Sequence, residues 1–175
     1  MGERKVVIAV DGSPHSYNAF QFYCENIHQK GDLILVIHAF ELPTMPAAPY
    51  PYGFAYYEEW SNLVKRADDE AKELLESIGR KCQRHNKEES EKHPGDEDKY
   101  CFKLFKENGK AGEVICKFAH DEKADMIVMG SRGVGTIRRT FLGSVSDYCV
   151  HHAHIPVAVV PPASEETAEA QAKSD

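Results

Sequence analysis

The 175-residue chain has no apolar run approaching the ~20 residues needed to cross a bilayer, which argues against a helical membrane protein. It also has no long Lys/Arg run, and its formal net charge is −7. Nucleic-acid binding surfaces are built on basic patches, so nucleic acid is not an expected partner. The five cysteines (Cys24, Cys82, Cys101, Cys116, Cys149) are odd in number and widely spaced, with neither a C-x-x-C pair nor a Cys/His ligand pattern. Reduced thiols in a soluble, cytoplasmic protein are the expectation, with Cys116 and Cys149 acting as small core hydrophobes. The amino end puts charges before a short apolar stretch, but that stretch runs into Asp11 without a small-residue cleavage site. A Met-Gly start lacks the Ser or Thr at position six that myristoylation wants, since Val6 stands there. There is no phosphate-loop lysine in a G-K-[ST] context, no nucleophile paired with a recognisable base, and no carboxylate pair for magnesium beyond Asp11.

What is present is an alternation of two patterns. Residues 5–10, KVVIAV, form the nearly continuous β-branched run expected of a strand buried on both faces of a parallel sheet. Asp11-Gly12-Ser13-Pro14 then reads as a turn and helix start, with Ser13 as cap and Pro14 at the first helical position. The helix runs through Ala19, Phe20, Tyr23, Cys24 and Ile27 until Gly31. A second buried strand occupies 33–39, a third 100–105, a fourth 125–129 and a fifth 156–160. Helices are expected over about 58–86 and 111–119, and after Gly143. Five strands alternating with four helices predict a single doubly wound α/β domain over 1–162 with a parallel sheet. Two surface insertions are expected, a Tyr/Pro-rich flap at 41–57 and a charged, mobile segment at 85–99, followed by a disordered tail at 163–175.

Ligands in such sheets bind beyond the carboxyl ends of the strands where the strand order reverses, which directs attention to Asp11, Ala39 and Gly130. Gly130, Gly133 and Gly135 allow a tight backbone turn and a close approach to a ligand. Gly143 opens a helix whose free amides and dipole suit a phosphate, and the hydroxyls of Ser144 and Ser146 add donors. Glycines in a strand-to-helix loop also serve turns alone. Asp11 has two readings as well, a hydrogen-bond acceptor for ribose or an exocyclic amine, or an Asx turn bonding its own backbone.

Other polar residues have competing readings. Arg132, Arg138 and Arg139 are forked phosphate donors or a solvated loop. His151, His152 and His154 suit the carbonyls and dipole of a last helical turn better than a metal. His38 reads as a satisfied core histidine, and His15 as a residue on the phosphate side of Asp11.

The spacing Gly130-x-x-Gly133, nine residues, then Gly143-Ser144 resembles the ATP-binding signature of universal stress proteins. The opening VAVDGS-like stretch and the closing HIPVAVV resemble that family's first and last strands, and the resemblance extends to about Val160. It implies a Rossmann-like fold of the adenine nucleotide alpha hydrolase type, holding ATP or AMP between the first and fourth strands, with Mg2+ accompanying the nucleotide. By that resemblance Asp11 contacts adenine, and Ala9 and Ala39 line the base. Met129, Gly130, Ser131, Arg132 and Gly133, with Gly143, Ser144, Val145 and Ser146, then hold ribose and phosphates. A homodimer through the last strand, 156–160, is implied too, which an apolar edge strand favours on physical grounds. The resulting expectation is a nucleotide-dependent regulator of a stress response. A slow ATPase or nucleotidyl-transfer enzyme using Asp11 or His15, and a scaffold that binds no nucleotide, are the alternatives.

Overall fold

The computed structural model describes residues 3–45, 53–92, 100–131 and 142–162. Five strands, β1 (Lys5–Ala9), β2 (Leu33–Phe40), β3 (Cys101–Asn108), β4 (Met126–Gly130) and β5 (Val157–Val160), alternate with helices α1 (Pro14–Asn26), α2 (Gly53–Lys92), α3 (Ala111–Asp121) and α4 (Ser144–His152). All neighbouring strands are parallel, in the order β3-β2-β1-β4-β5. The order therefore reverses between β1 and β4, as a doubly wound sheet requires.

The pleat sorts β1 onto two cores. Val7 and Ala9 join Leu35, Ile37, Ile127 and Met129 beneath α3 and α4, while Val6 and Ile8 join Ile34, Val36 and Val128 beneath α1 and α2. Strands covered on both faces have no use for a polar alternate position, which is why residues 6–10 read as a continuous apolar run. The edge strand β3 is half exposed and carries Lys103 and Lys106, a composition that discourages pairing with another sheet.

Helix α1 starts as its sequence dictates. Ser13 is the cap, accepting from the Ser16 amide at 3.1 Å, with Pro14 following. It ends at Asn26, short of Gly31, because the amides of Ile27 and His28 both donate to the Tyr23 carbonyl.

Helix α2 is longer at both ends than periodicity predicts. The charged segment from 85 begins inside it, because Asn86 forms a two-way amide bridge to the backbone of Tyr100, 3.0 Å in each direction. His85 packs on Phe20 and Tyr100, and Lys87 pairs with Glu91 one turn on. Tertiary anchoring thus holds as helix a stretch whose composition suggests a mobile insertion; residues 93–99 lie outside the described residues. At the other end the helix takes up residues 53–57 of the expected flap, and Trp60 donates its indole N–H to the Pro43 carbonyl at 2.7 Å. The remainder of the flap, 46–52, and the tail 163–175 lie outside the described residues. Strand β3 runs past Phe105 because its ladder with β2 continues to the Phe40–Asn108 pair.

At the amino ends of the strands, Asp32 is buried and receives Arg4 Nε at 2.7 Å, the Tyr23 hydroxyl at 2.6 Å and the Gln29 amide at 2.9 Å. Burial alone would raise its pKa, but the hydrogen bonds from Arg4, Tyr23 and Gln29 outweigh it and hold the carboxyl below the usual range. Among the described residues no helix is long and apolar enough to cross a membrane.

Candidate functional site

At the carboxyl ends of β1 and β4 lies a cavity of about 320 Å3, a size at the lower end of ligand pockets. Its walls follow from the topology. Ala9 and Met129 close the floor from adjacent strands, Ala39 enters from β2, and Gly130 ends β4. Small side chains at 9, 39 and 130 leave room that larger ones would fill.

The side opposite the strands is the start of α4. Gly143 is the cap and offers no side chain, so the amides of the first turn have no side-chain acceptor. The Gly143 amide itself donates to the Ser131 carbonyl at 2.8 Å, which ties the helix start to the end of β4. Ser144, Val145 and Ser146 line the cavity with their first-turn amides in the positive end of the helix dipole. The hydroxyl of Ser146 is 2.9 Å from the Gly143 carbonyl and donates inward, so its contribution to a ligand would be as an acceptor or after reorientation. Ser131 lies beneath this turn as a backbone acceptor and does not line the cavity.

Asp11 also lines the cavity, and it is fixed by its own turn. Its Oδ1 accepts from the Ser13 amide at 3.0 Å and from the Ser13 hydroxyl at 2.6 Å. Gly12 sits at φ +80°, the left-handed region that glycine adopts without steric cost. The Asx-turn reading is realised, and the same residue lines the cavity.

A third wall went unread in the sequence. Ala111 and Ile115 of α3, with Val10 and Ser16, complete the cavity. Ala111 and Ile115 are four residues apart on one helical face, a signal that marks burial but not the cavity being lined. Helix α3 reaches this place because Gly112 lets it approach α4 closely: a Cβ there would stand 2.7 Å from Tyr148 Cδ1. Below, burial pushes the Cys149 thiol up to about 12 and raises Cys116, so neither is a thiolate at neutral pH.

The structure brings together Ala9, Asp11, Ala39, Met129, Gly130, Gly143, Ser144, Val145 and Ser146 around one space. Arg132, Gly133, Gly135, Arg138 and Arg139 lie outside the described residues. His15 turns away from the cavity and lines a separate groove between α1 and α2. His38 places Nδ1 2.9 Å from the Val10 carbonyl, satisfied within the fold. In the last turn of α4, His152 donates through Nδ1 to the Tyr148 carbonyl at 2.8 Å, and His151 lies 3.8 Å from Asp147.

Known proteins share this architecture. A solved structure of the hypothetical protein MJ0577 superposes with a TM-score of 0.67 at 23% identity, covering 93% of this chain and 99% of that one. A universal stress protein family protein from Arabidopsis thaliana, solved with AMP bound, gives 0.54 at 21% identity over 94% and 95% of the two chains. At these identities the likeness shows the fold. In sequence, a universal stress protein from Thermus aquaticus is 30% identical over 158 residues, covering 90% of this chain and 98% of that protein. The chain spans about half, 47%, of the length of universal stress proteins from Mycobacterium bovis and Mycobacterium tuberculosis, to which it is 28% identical. The model of the Universal stress protein family matches residues 3–161, nearly the whole of the α/β domain, and the chain belongs to that family.

Proposed function

We propose that the chain binds an adenine nucleotide, ATP or AMP, in the cavity between β1 and β4, and that occupancy regulates a stress response through a dimer or partner surface. The observation that carries this reading is the union, at the point where the strand order reverses, of small-residue strand ends with an uncapped helix start. The base fits against Ala9, Val10 and Ala39, with Asp11 as its polar acceptor. The phosphates fit against Gly130 and the first-turn amides of Ser144, Val145 and Ser146, where the absence of a Cβ at Gly143 lets an oxyanion approach the backbone. By the family resemblance Arg132 and Gly133 belong to the phosphate side as well, while Ser131 contributes through its carbonyl, which holds the Gly143 amide. Mg2+ would enter with ATP, neutralising phosphate charge. AMP bound to the Arabidopsis thaliana protein of like fold supports the adenylate class.

The homodimer would form through β5, the edge strand whose Val157, Ala158 and Val159 are only half buried. Binding comes before catalysis in this account, because Asp11, the one carboxylate lining the cavity among the described residues, has an oxygen already engaged by Ser13.

The test is to purify the full chain natively, release bound small molecules by denaturation, and titrate ATP and AMP against thermal stability in the wild type and in Gly143→Val. Copurified adenylate, or a stabilisation of about 2.7 kcal/mol at one hundred times Kd that the variant loses, supports the reading. Neither adenylate nor any shift would retire it in favour of a scaffold that binds no nucleotide.

A further inference from the structure

The two faces of the sheet are covered unequally. Helices α3 and α4 pack closely on each other, whereas the backbones of α1 and α2 stand farther apart and meet through side chains, His85 on Phe20 and Lys81 over Tyr17. Between α1 and α2 runs a groove of about 630 Å3, roughly twice the cavity described above. The groove is open to solvent and large enough to take a small molecule.

Its lining is of two kinds. Phe20, Leu74, Ile78 and Cys82 give an apolar floor, with Phe20 and Cys82 themselves buried. The rim carries two cations, Lys81 and Arg84 of α2, against Glu88 as the one acid among the described lining residues. In a chain of net charge −7 this is a local reversal of sign. The Lys81 ammonium lies 4.2 Å from the centroid of the Tyr17 ring, which holds the charge over the groove's aromatic side. A groove with an apolar floor, polar walls and a cation on its rim is complementary to a molecule with an apolar or planar aromatic body and one acidic group.

The geometry points to a second ligand site in the α1–α2 groove, for a small amphipathic anion, on the opposite face of the sheet from the α3 and α4 wall of the cavity. The site is independent of whether the cavity binds nucleotide. It stands next to it nonetheless: Val10 and Ser16 line both spaces, and Leu74 of α2 lies against the turn at Gly12, where a Cβ would come 2.9 Å from its Cδ1.

The experiment uses the full chain and 8-anilinonaphthalene-1-sulfonate, a planar aromatic sulfonate whose emission rises on leaving water. Fluorescence titration of the wild type is expected to saturate at one probe per chain. Lys81→Glu reverses an exposed rim charge without touching the core and is expected to weaken binding at least tenfold. Ser77→Trp fills the groove with the charge intact and is expected to abolish saturable binding. Gly143→Val, placed in the other cavity, is expected to leave the probe's affinity unchanged. Absence of saturable binding overturns the assignment. So does binding that survives both Lys81→Glu and Ser77→Trp, or binding lost in Gly143→Val and displaced by ATP, which would put the probe in the nucleotide cavity. Far-UV circular dichroism and melting temperature of each variant identify any that is unfolded, and for those the milder Lys81→Gln and Ser77→Leu carry the same comparison.

Discussion

Replacing Ser13 by alanine tests how the β1–α1 turn is held. The hydroxyl of this buried residue does two things: it accepts from the Ser16 amide at 3.1 Å and donates to Asp11 Oδ1 at 2.6 Å. Loss of a serine cap costs about 1 kcal/mol. Loss of a hydrogen bond to a carboxylate costs about 1.5–3 kcal/mol, but Asp11 is only half buried and keeps the Ser13 amide, so about 1 kcal/mol remains. Ser13→Ala is therefore expected to destabilise by about 2 kcal/mol, and at about 2–4 °C per kcal/mol for a chain of this size Tm falls by about 4–8 °C. Urea unfolding followed by circular dichroism reads this as a lower midpoint with an unchanged slope. Ser13→Gly separates the two parts. Glycine is nearly as good a cap as serine, so only the Asp11 bond is lost and about 1 kcal/mol is expected. A loss below about 0.5 kcal/mol in Ser13→Ala, or an equal loss in both variants, would refute the division of roles.

Three further outcomes follow from the packing and the charges. Gly112→Ala sets a methyl 2.7 Å from Tyr148 Cδ1; overpacking of about 2–3 kcal/mol less a helix-propensity gain of about 1 kcal/mol leaves about 1–2 kcal/mol of destabilisation, measurable by thermal melting and relieved in combination with Tyr148→Ala. The folded pKa of Asp32 is held below the usual carboxylate range, so its contribution to stability is present above the unfolded-state pKa and is lost as pH falls through the folded one. Asp32→Asn is expected to cost about 2–3 kcal/mol at pH 7 and to flatten the acid limb of the stability–pH curve, read by urea titrations between pH 3 and 7. Among the thiols, Cys101 is exposed, whereas burial pushes Cys82 and Cys149 up to about 12. A thiol reagent should therefore show one fast reaction in the native protein, absent in Cys101→Ser, with Cys82 and Cys149 reacting only on unfolding.

Much of the fold was legible because a sheet buried on both faces leaves a one-dimensional trace. Residues 6–10, 33–37 and 126–129 read as unbroken apolar runs, and the Ser13-Pro14 start is a local signal with a local cause. The ends of α2 were not legible, since they depend on Asn86 meeting Tyr100 and on Trp60 meeting Pro43, contacts between segments 14 and 17 residues apart. Glycines and Asp11 stand out as a site by spacing and resemblance, while Ala111 and Ile115 stand out only as part of the helix expected over 111–119. Their place in the cavity depends on how near α3 comes to α4, which is fixed by Gly112 and Tyr148 and written in no local pattern. Strand register is equally silent in the sequence.

The pairing of β1 with β4 also bears on how the molecule comes into being. The Lys5 amide donates to Asp125 across 120 positions of chain, and Val7 stands opposite Ile127. A chain emerging from the ribosome can join β1 to β2 as soon as both are made, but half of the cavity then does not yet exist. The wall at Gly130 and the α4 start arrives only after α2, β3 and α3 have followed, and closing so long a loop is slow. Nucleotide, if it binds there, cannot guide early folding. It can only reward completion, stabilising chains that have already brought their first strand and their fourth together.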